Sequence, residues 1–95
     1  MSAPPPAPAA RLTLVQRHDC GLCETMLEEL TALGRTLGLP PIELVDVDSD
    51  PQLLRRHGLD VPVLLLDGTV VCRHRLDAVE LVRMLRPASS AAGSP

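Results

Sequence analysis

The chain has 95 residues, nine basic against twelve acidic for a net charge of −3, and no phenylalanine, tyrosine or tryptophan. That length allows one small domain with one core, which without aromatic rings has to be built from Leu and Val. No basic stripe is present to track phosphates and no ring on which bases stack, so nucleic acid is excluded as an expected partner.

Residues 1 to 10, "MSAPPPAPAA", are Pro and Ala without periodicity and read as a disordered tail. They lack the charged and apolar regions of a secretory signal, and nothing in the chain approaches the roughly 20 apolar residues that span a bilayer, so a cytoplasmic protein is expected. In that reducing compartment three cysteines do not make a structural disulfide framework.

"RLTLV", residues 11 to 15, is a short β-type run. From Cys23 the apolar residues Met26, Leu27, Leu30, Leu33 and Leu37 fall at helical spacing, and the helix is expected to stop at Gly38, before Pro40 and Pro41. "IELVDV" reads as a second strand, and "DSDPQLLRRHG" as a short helix capped by Ser49 or Asp50, with Pro51 in its first turn and Gly58 past its end.

"VPVLLLDGTVVCR" carries a hairpin signal, with Asp67-Gly68 suited to a type I′ turn that would set Val63 opposite Cys72. A last helix opens at Asp77, with Glu80 three residues on as in a capping box and Val79, Val82 and Leu85 as its apolar positions. Residues 87 to 95 form a second expected tail. The domain, 11 to 86, is therefore α/β with the order βαβαββα: a parallel crossover followed by an antiparallel hairpin, with helices on both faces of a four-stranded mixed sheet.

The chemistry concentrates in Cys20-Gly21-Leu22-Cys23. Cys20 follows the first strand where the helix begins, so it faces unsatisfied N–H groups and the positive end of the helix dipole, which favour a thiolate. Cys23, one turn along, is placed to attack a mixed disulfide formed at Cys20. Asp19 is expected to cap the helix in competition with that thiolate and to oppose its ionisation, leaving Cys20 closer to an ordinary thiol than to the strongly acidic ones. The Val61-Pro62 pair stands where a proline is tolerated, at the beginning of a strand.

With C-G-L-C between strand and helix, Val61-Pro62 before the third strand and the βαβαββα order over residues 11 to 86, the chain resembles the glutaredoxin-like branch of the thioredoxin superfamily. The resemblance implies a thioredoxin-like fold with strand order 2-1-3-4 and a disulfide oxidoreductase. Cys20 would be the nucleophile, Cys23 the resolving thiol and Pro62 a cis proline, and the backbone of Val61 would pair with the substrate or glutathione chain. Asp77 would meet the glutathione amine, and Arg17 would be the basic residue upstream of the nucleophile. The Gly-Gly that often follows the fourth strand is replaced by His74-Arg75. Glutathione is implied as a cosubstrate, with no tightly bound cofactor or metal, a protein or small-molecule disulfide as substrate, and a monomer.

Two other readings use the same residues. Cys20, Cys23, Cys72 and His74 would supply a zinc site, or the cysteines an iron–sulfur site. A non-catalytic module would hold an extended peptide in the groove at Val61 and Pro62. Cys72 alone reads as a buried strand cysteine, and His57 as a favourable charge at a helix end. Arg55, Arg56, Arg73, Arg75 and Arg83 read as a solvated surface, with Arg73, His74 and Arg75 as an alternative anion contact.

Overall fold

A computed structural model describes residues 10–85. Apart from Ala10, both expected tails lie outside the described residues. The elements are β1 (Leu12–Gln16), α1 (Gly21–Leu37), β2 (Ile42–Asp46), a single 3-10 turn at Val47–Ser49, α2 (Pro51–His57), β3 (Val63–Leu66), β4 (Thr69–Arg73) and α3 (Ala78–Leu85). The sheet order is β2-β1-β3-β4. β1 and β2 are parallel, with Leu14 beside Leu44, and β3 runs antiparallel to both β1 and β4. The C-terminal ends of β1, β2 and β4 and the start of β3 therefore meet at one end of the sheet.

Strand alternation divides the apolar residues between two faces. Leu12, Leu14, Leu64, Leu66 and Val71 pack with Met26 and Leu30 of α1 and Leu81 of α3. Val15 and Val63 on the other face pack with Val47 and the half-buried Leu53 of α2. Each fully buried Leu or Val contributes about 1.5–3 kcal/mol, which is how a core without rings holds so short a chain.

The helix boundaries follow from local chemistry. α1 ends at Gly38, whose φ of 63° is the left-handed conformation that glycine adopts without cost; its N–H donates to the Gly34 carbonyl at 3.1 Å. Asp50 caps α2, accepting from the Gln52 N–H at 2.8 Å, with Pro51 in the first turn. Gly58 has an ordinary right-handed backbone. A Cβ there would run into the Leu54 carbonyl oxygen and lie 3.0 Å from Leu54 Cδ1, so this glycine serves close approach.

Two expectations are corrected. Asp67 and Gly68 both have positive φ, as a type I′ turn requires, but the register shifts beyond it: Leu65 pairs with Val70, Leu64 with Cys72 and Val63 with Arg73. Val63 does not face Cys72. A bulge accommodates Val71, so that Val71 and Cys72 both pack toward the main core instead of alternating.

α3 is capped by Asp77 Oδ1, which accepts from the Glu80 N–H at 3.0 Å, yet Glu80 turns to Arg83 rather than back to Asp77. Its inward face is Leu81 with Leu85 one turn on, and Val79 is 81% exposed. The short helix sits rotated by about one residue, or 100°, from the face its sequence pattern gives.

Candidate active site

β1 delivers the chain to a turn at His18 and Asp19, and α1 starts at Gly21. Asp19 takes a φ of 54°, which Asp tolerates better than most residues, and its side chain is exposed. The expected Asp19 cap is not formed. Cys20 is itself the N-cap, its Sγ accepting from the Cys23 N–H at 3.1 Å, because the left-handed turn brings the Cys20 side chain over the first helical turn. One orphan N–H of α1, that of Cys23, thus meets sulfur rather than carboxylate.

Cys20 and Cys23 are joined by a disulfide, with their Cα atoms 5.1 Å apart. Cys20 is half-buried, while Cys23 is only 1% exposed and belongs to the core. Of the two, Cys20 is the more exposed and Cys23 the sheltered one.

Val15 pairs with Val63, so the chain leaving β1 toward Cys20 and the chain entering β3 through Val61 and Pro62 run side by side. The Val61–Pro62 peptide bond is cis and Pro62 is buried. The Pro62 carbonyl accepts from the His74 N–H at 2.8 Å. Val61, half-buried, has no backbone partner for its own N–H or C=O among the described residues.

Arg17 lies at the same sheet end, engaged with the protein itself. Its Nε and Nη2 donate to Asp48 at 3.2 and 3.3 Å and its Nη1 to the Gly58 carbonyl at 3.1 Å. The hydrogen bonds to Asp48 hold its pKa above the ordinary guanidinium value. Arg17 braces the end of β1 against the 3-10 turn and the end of α2. Asp77 is the cap of α3, and its N–H meets Cys72 Sγ at 3.5 Å.

Cys72 is half-buried opposite Leu64. Burial pushes its thiol upward, with the Asp77 charge in the same direction and the Asp77 N–H opposing. A raised value keeps the neutral thiol to higher pH, so the reactive thiolate is scarce at pH 8. In the disulfide form, where Cys72 is the sole free cysteine, we expect iodoacetamide to label it several-fold more slowly than glutathione at pH 8. The rate should keep climbing above the pH at which glutathione's levels off. Intact mass against time measures this, and labelling as fast as glutathione would refute the assignment.

The zinc grouping is not assembled: Cys72 packs against the main core and His74 Nε2 turns to Asp60 Oδ1 at 3.8 Å. Among the described residues no group of three His, Cys, Asp or Glu is placed to hold a metal ion. His57 stands in the last turn of α2, the helix end where it is expected, but it is 8% exposed and its Nδ1 has no partner among the described residues.

Sequence reading missed a cleft of about 390 Å³ running along α1 from Leu22 to Glu29, with His74, Arg75 and Leu76 as its opposite wall. It also missed that Asp60, two residues before Pro62, faces both Arg73 and His74. The only advance signal was the replacement of Gly-Gly by His74-Arg75; His74 takes a φ of 68°, a conformation natural to glycine.

A mixed sheet in the order 2-1-3-4, with a disulfide-forming pair at the start of α1 beside a proline that opens β3, defines a thioredoxin-fold domain with the equipment for redox chemistry. The model of the family described as "Glutaredoxin-like domain (DUF836)" matches residues 11–86, and the chain belongs to that family. A Nitrosomonas europaea protein solved by NMR is similar in fold, with a TM-score of 0.74 and 24% identity over 88% of this chain and 100% of that one. A structural-genomics target from X. campestris is 32% identical over 80% of this chain and 99% of its own, with a TM-score of 0.56. Fasciola hepatica thioredoxin, 18% identical over 81% of this chain and 78% of its own, shares the fold at a TM-score of 0.55. No curated protein matches the chain. None of the helices among the described residues is long and apolar enough to cross a membrane.

Proposed function

We propose that the protein is a thiol–disulfide oxidoreductase with Cys20 as nucleophile and Cys23 as resolving thiol. The observation that carries this reading is the asymmetry of the pair: an accessible sulfur that accepts a helix N–H, and a sheltered one a single turn away. In the reduced protein the Cys20 thiolate attacks one sulfur of a substrate disulfide, the substrate S–S bond breaks, and a mixed disulfide forms as the first substrate thiolate leaves and takes a proton. The Cys23 thiolate then attacks Cys20, the mixed bond breaks, and the Cys20–Cys23 disulfide forms as the second substrate thiol leaves. Two electrons and two protons pass from the dithiol to the substrate. The return to the dithiol consumes two thiols, supplied by glutathione or by a partner dithiol. During attack the open backbone of Val61 aligns the substrate chain beside Pro62.

The test equilibrates the protein in graded glutathione redox buffers, traps free thiols by alkylation and weighs the intact chain. We expect one reversible two-electron transition between dithiol and Cys20–Cys23 disulfide, and a single glutathione adduct in Cys23→Ser. Thiols that remain unreactive across the series would overturn the proposal.

A further inference from the structure

At the sheet end that carries the disulfide, charge is distributed unevenly along the order β2-β1-β3-β4. Beyond β1 lie Asp46 and Asp48, facing His18 at 3.5 Å and Arg17 at 3.2 Å. Beyond β3 lie Asp60, Arg73 and His74, with the Asp60 carboxylate 3.9 Å from Arg73 Nε and 3.8 Å from His74 Nε2. Most charges here are answered within the protein. Among the described residues, Asp19 on one flank of the redox pair and Arg75 on the other have no ion-pair partner. Arg75 lines the cleft whose near end is Leu22, the residue between the two cysteines, 47% exposed. Glu29 stands seven residues further along α1, about 10 Å away at 1.5 Å per residue, and closes the far end.

A substrate chain seated on the Val61 backbone with its cysteine at Cys20 has this cleft beside it. Leu22 and Leu76 offer apolar walls for an aliphatic stem, and Arg75, without an ion-pair partner among the described residues, is available to a negative head. We infer that this cleft is a specificity subsite that selects polypeptide disulfides carrying an acidic residue next to the target cysteine, with Arg75 reading the carboxylate. The inference rests on the oxidoreductase reading above. A single acidic side chain fits better than an acidic run, because Asp19 and Glu29 bracket the subsite with negative charge.

The experiment uses the full reduced chain and three disulfide peptides that differ only in the residue beside the cysteine: Glu, Gln or Lys. Glutathione disulfide and the neutral hydroxyethyl disulfide are run in parallel. We expect kcat/KM to fall in the order Glu, Gln, Lys, with about tenfold between the extremes, the size of two modest exposed charge interactions of opposite sign. The order should invert in Arg75→Glu, and the spread should contract at high salt. Equal rates for the three peptides, or an order that Arg75→Glu leaves in place, would overturn the inference. A ratio of glutathione disulfide to hydroxyethyl disulfide that collapses in Arg75→Glu while the peptide order stays would also overturn it, by assigning Arg75 to a glutathione carboxylate. Absence of turnover on every disulfide marks failure of the oxidoreductase reading instead, since the neutral disulfide does not depend on the charge of the subsite.

Discussion

Replacing Cys20 by serine is expected to lower disulfide-reductase turnover by at least about a thousandfold, because a hydroxyl at neutral pH supplies no equivalent of the thiolate that starts the exchange. Nothing nearby substitutes for it: Cys23 is sheltered in the core, and Cys72 is packed against Leu64 with its thiol pushed upward by burial. Cys23→Ser separates the two steps. It should retain the first attack at close to the native rate, since Sγ of Cys20 is bound by the backbone N–H of residue 23, which the substitution keeps. It then stalls as a mixed disulfide that intact mass reveals. A Cys20→Ser protein with more than about a tenth of native turnover would dismiss Cys20 as the nucleophile.

Leu64→Ala is expected to cost about 3–5 kcal/mol, a large share of what a domain of this size has to lose. Leu64 is fully buried between Leu14 of β1 and Cys72 of β4, and packs into the cluster that holds Met26 and Leu30. With no aromatic side chain in the core, Met26 in the cluster and Met84 packed against it are long, flexible residues that can move toward the cavity. The check is the shift in urea midpoint at constant slope. Loss of less than about 1 kcal/mol would mean that the core closes over the gap.

What the sequence made legible was the chemistry of neighbours along the chain. Gly38 ends α1, Asp50 caps α2, Asp67-Gly68 makes the turn, and the C-G-L-C pair opens α1, each through contacts within a few residues. What it hid was set across the fold. The bulge at Val71 depends on how two adjacent apolar residues can both reach one core, which alternation alone never specifies. The face of α3 depends on where β4 lets it dock, and the single-turn spacing of Val79 and Val82 fitted an equally good but wrong stripe. Asp19 is a strong cap by type, and lost the position because the turn gave it a left-handed backbone and Cys20 the place over the helix. The Arg17 contacts with Asp48 and Gly58 span 31 and 41 residues, separations that no local pattern encodes.

The bulge also bears on how the molecule behaves in a crowd. β4 is an outer strand of the sheet, and Val70, Val71 and Cys72 along it make an apolar β-forming run of the kind that recruits a second chain. A regular edge would offer an evenly spaced ladder of unpaired N–H and C=O groups, whereas a bulged edge twists away and breaks that spacing. With Arg73 ending the run, β4 carries its apolar residues to the rim of the sheet on an edge whose ladder is interrupted by the bulge.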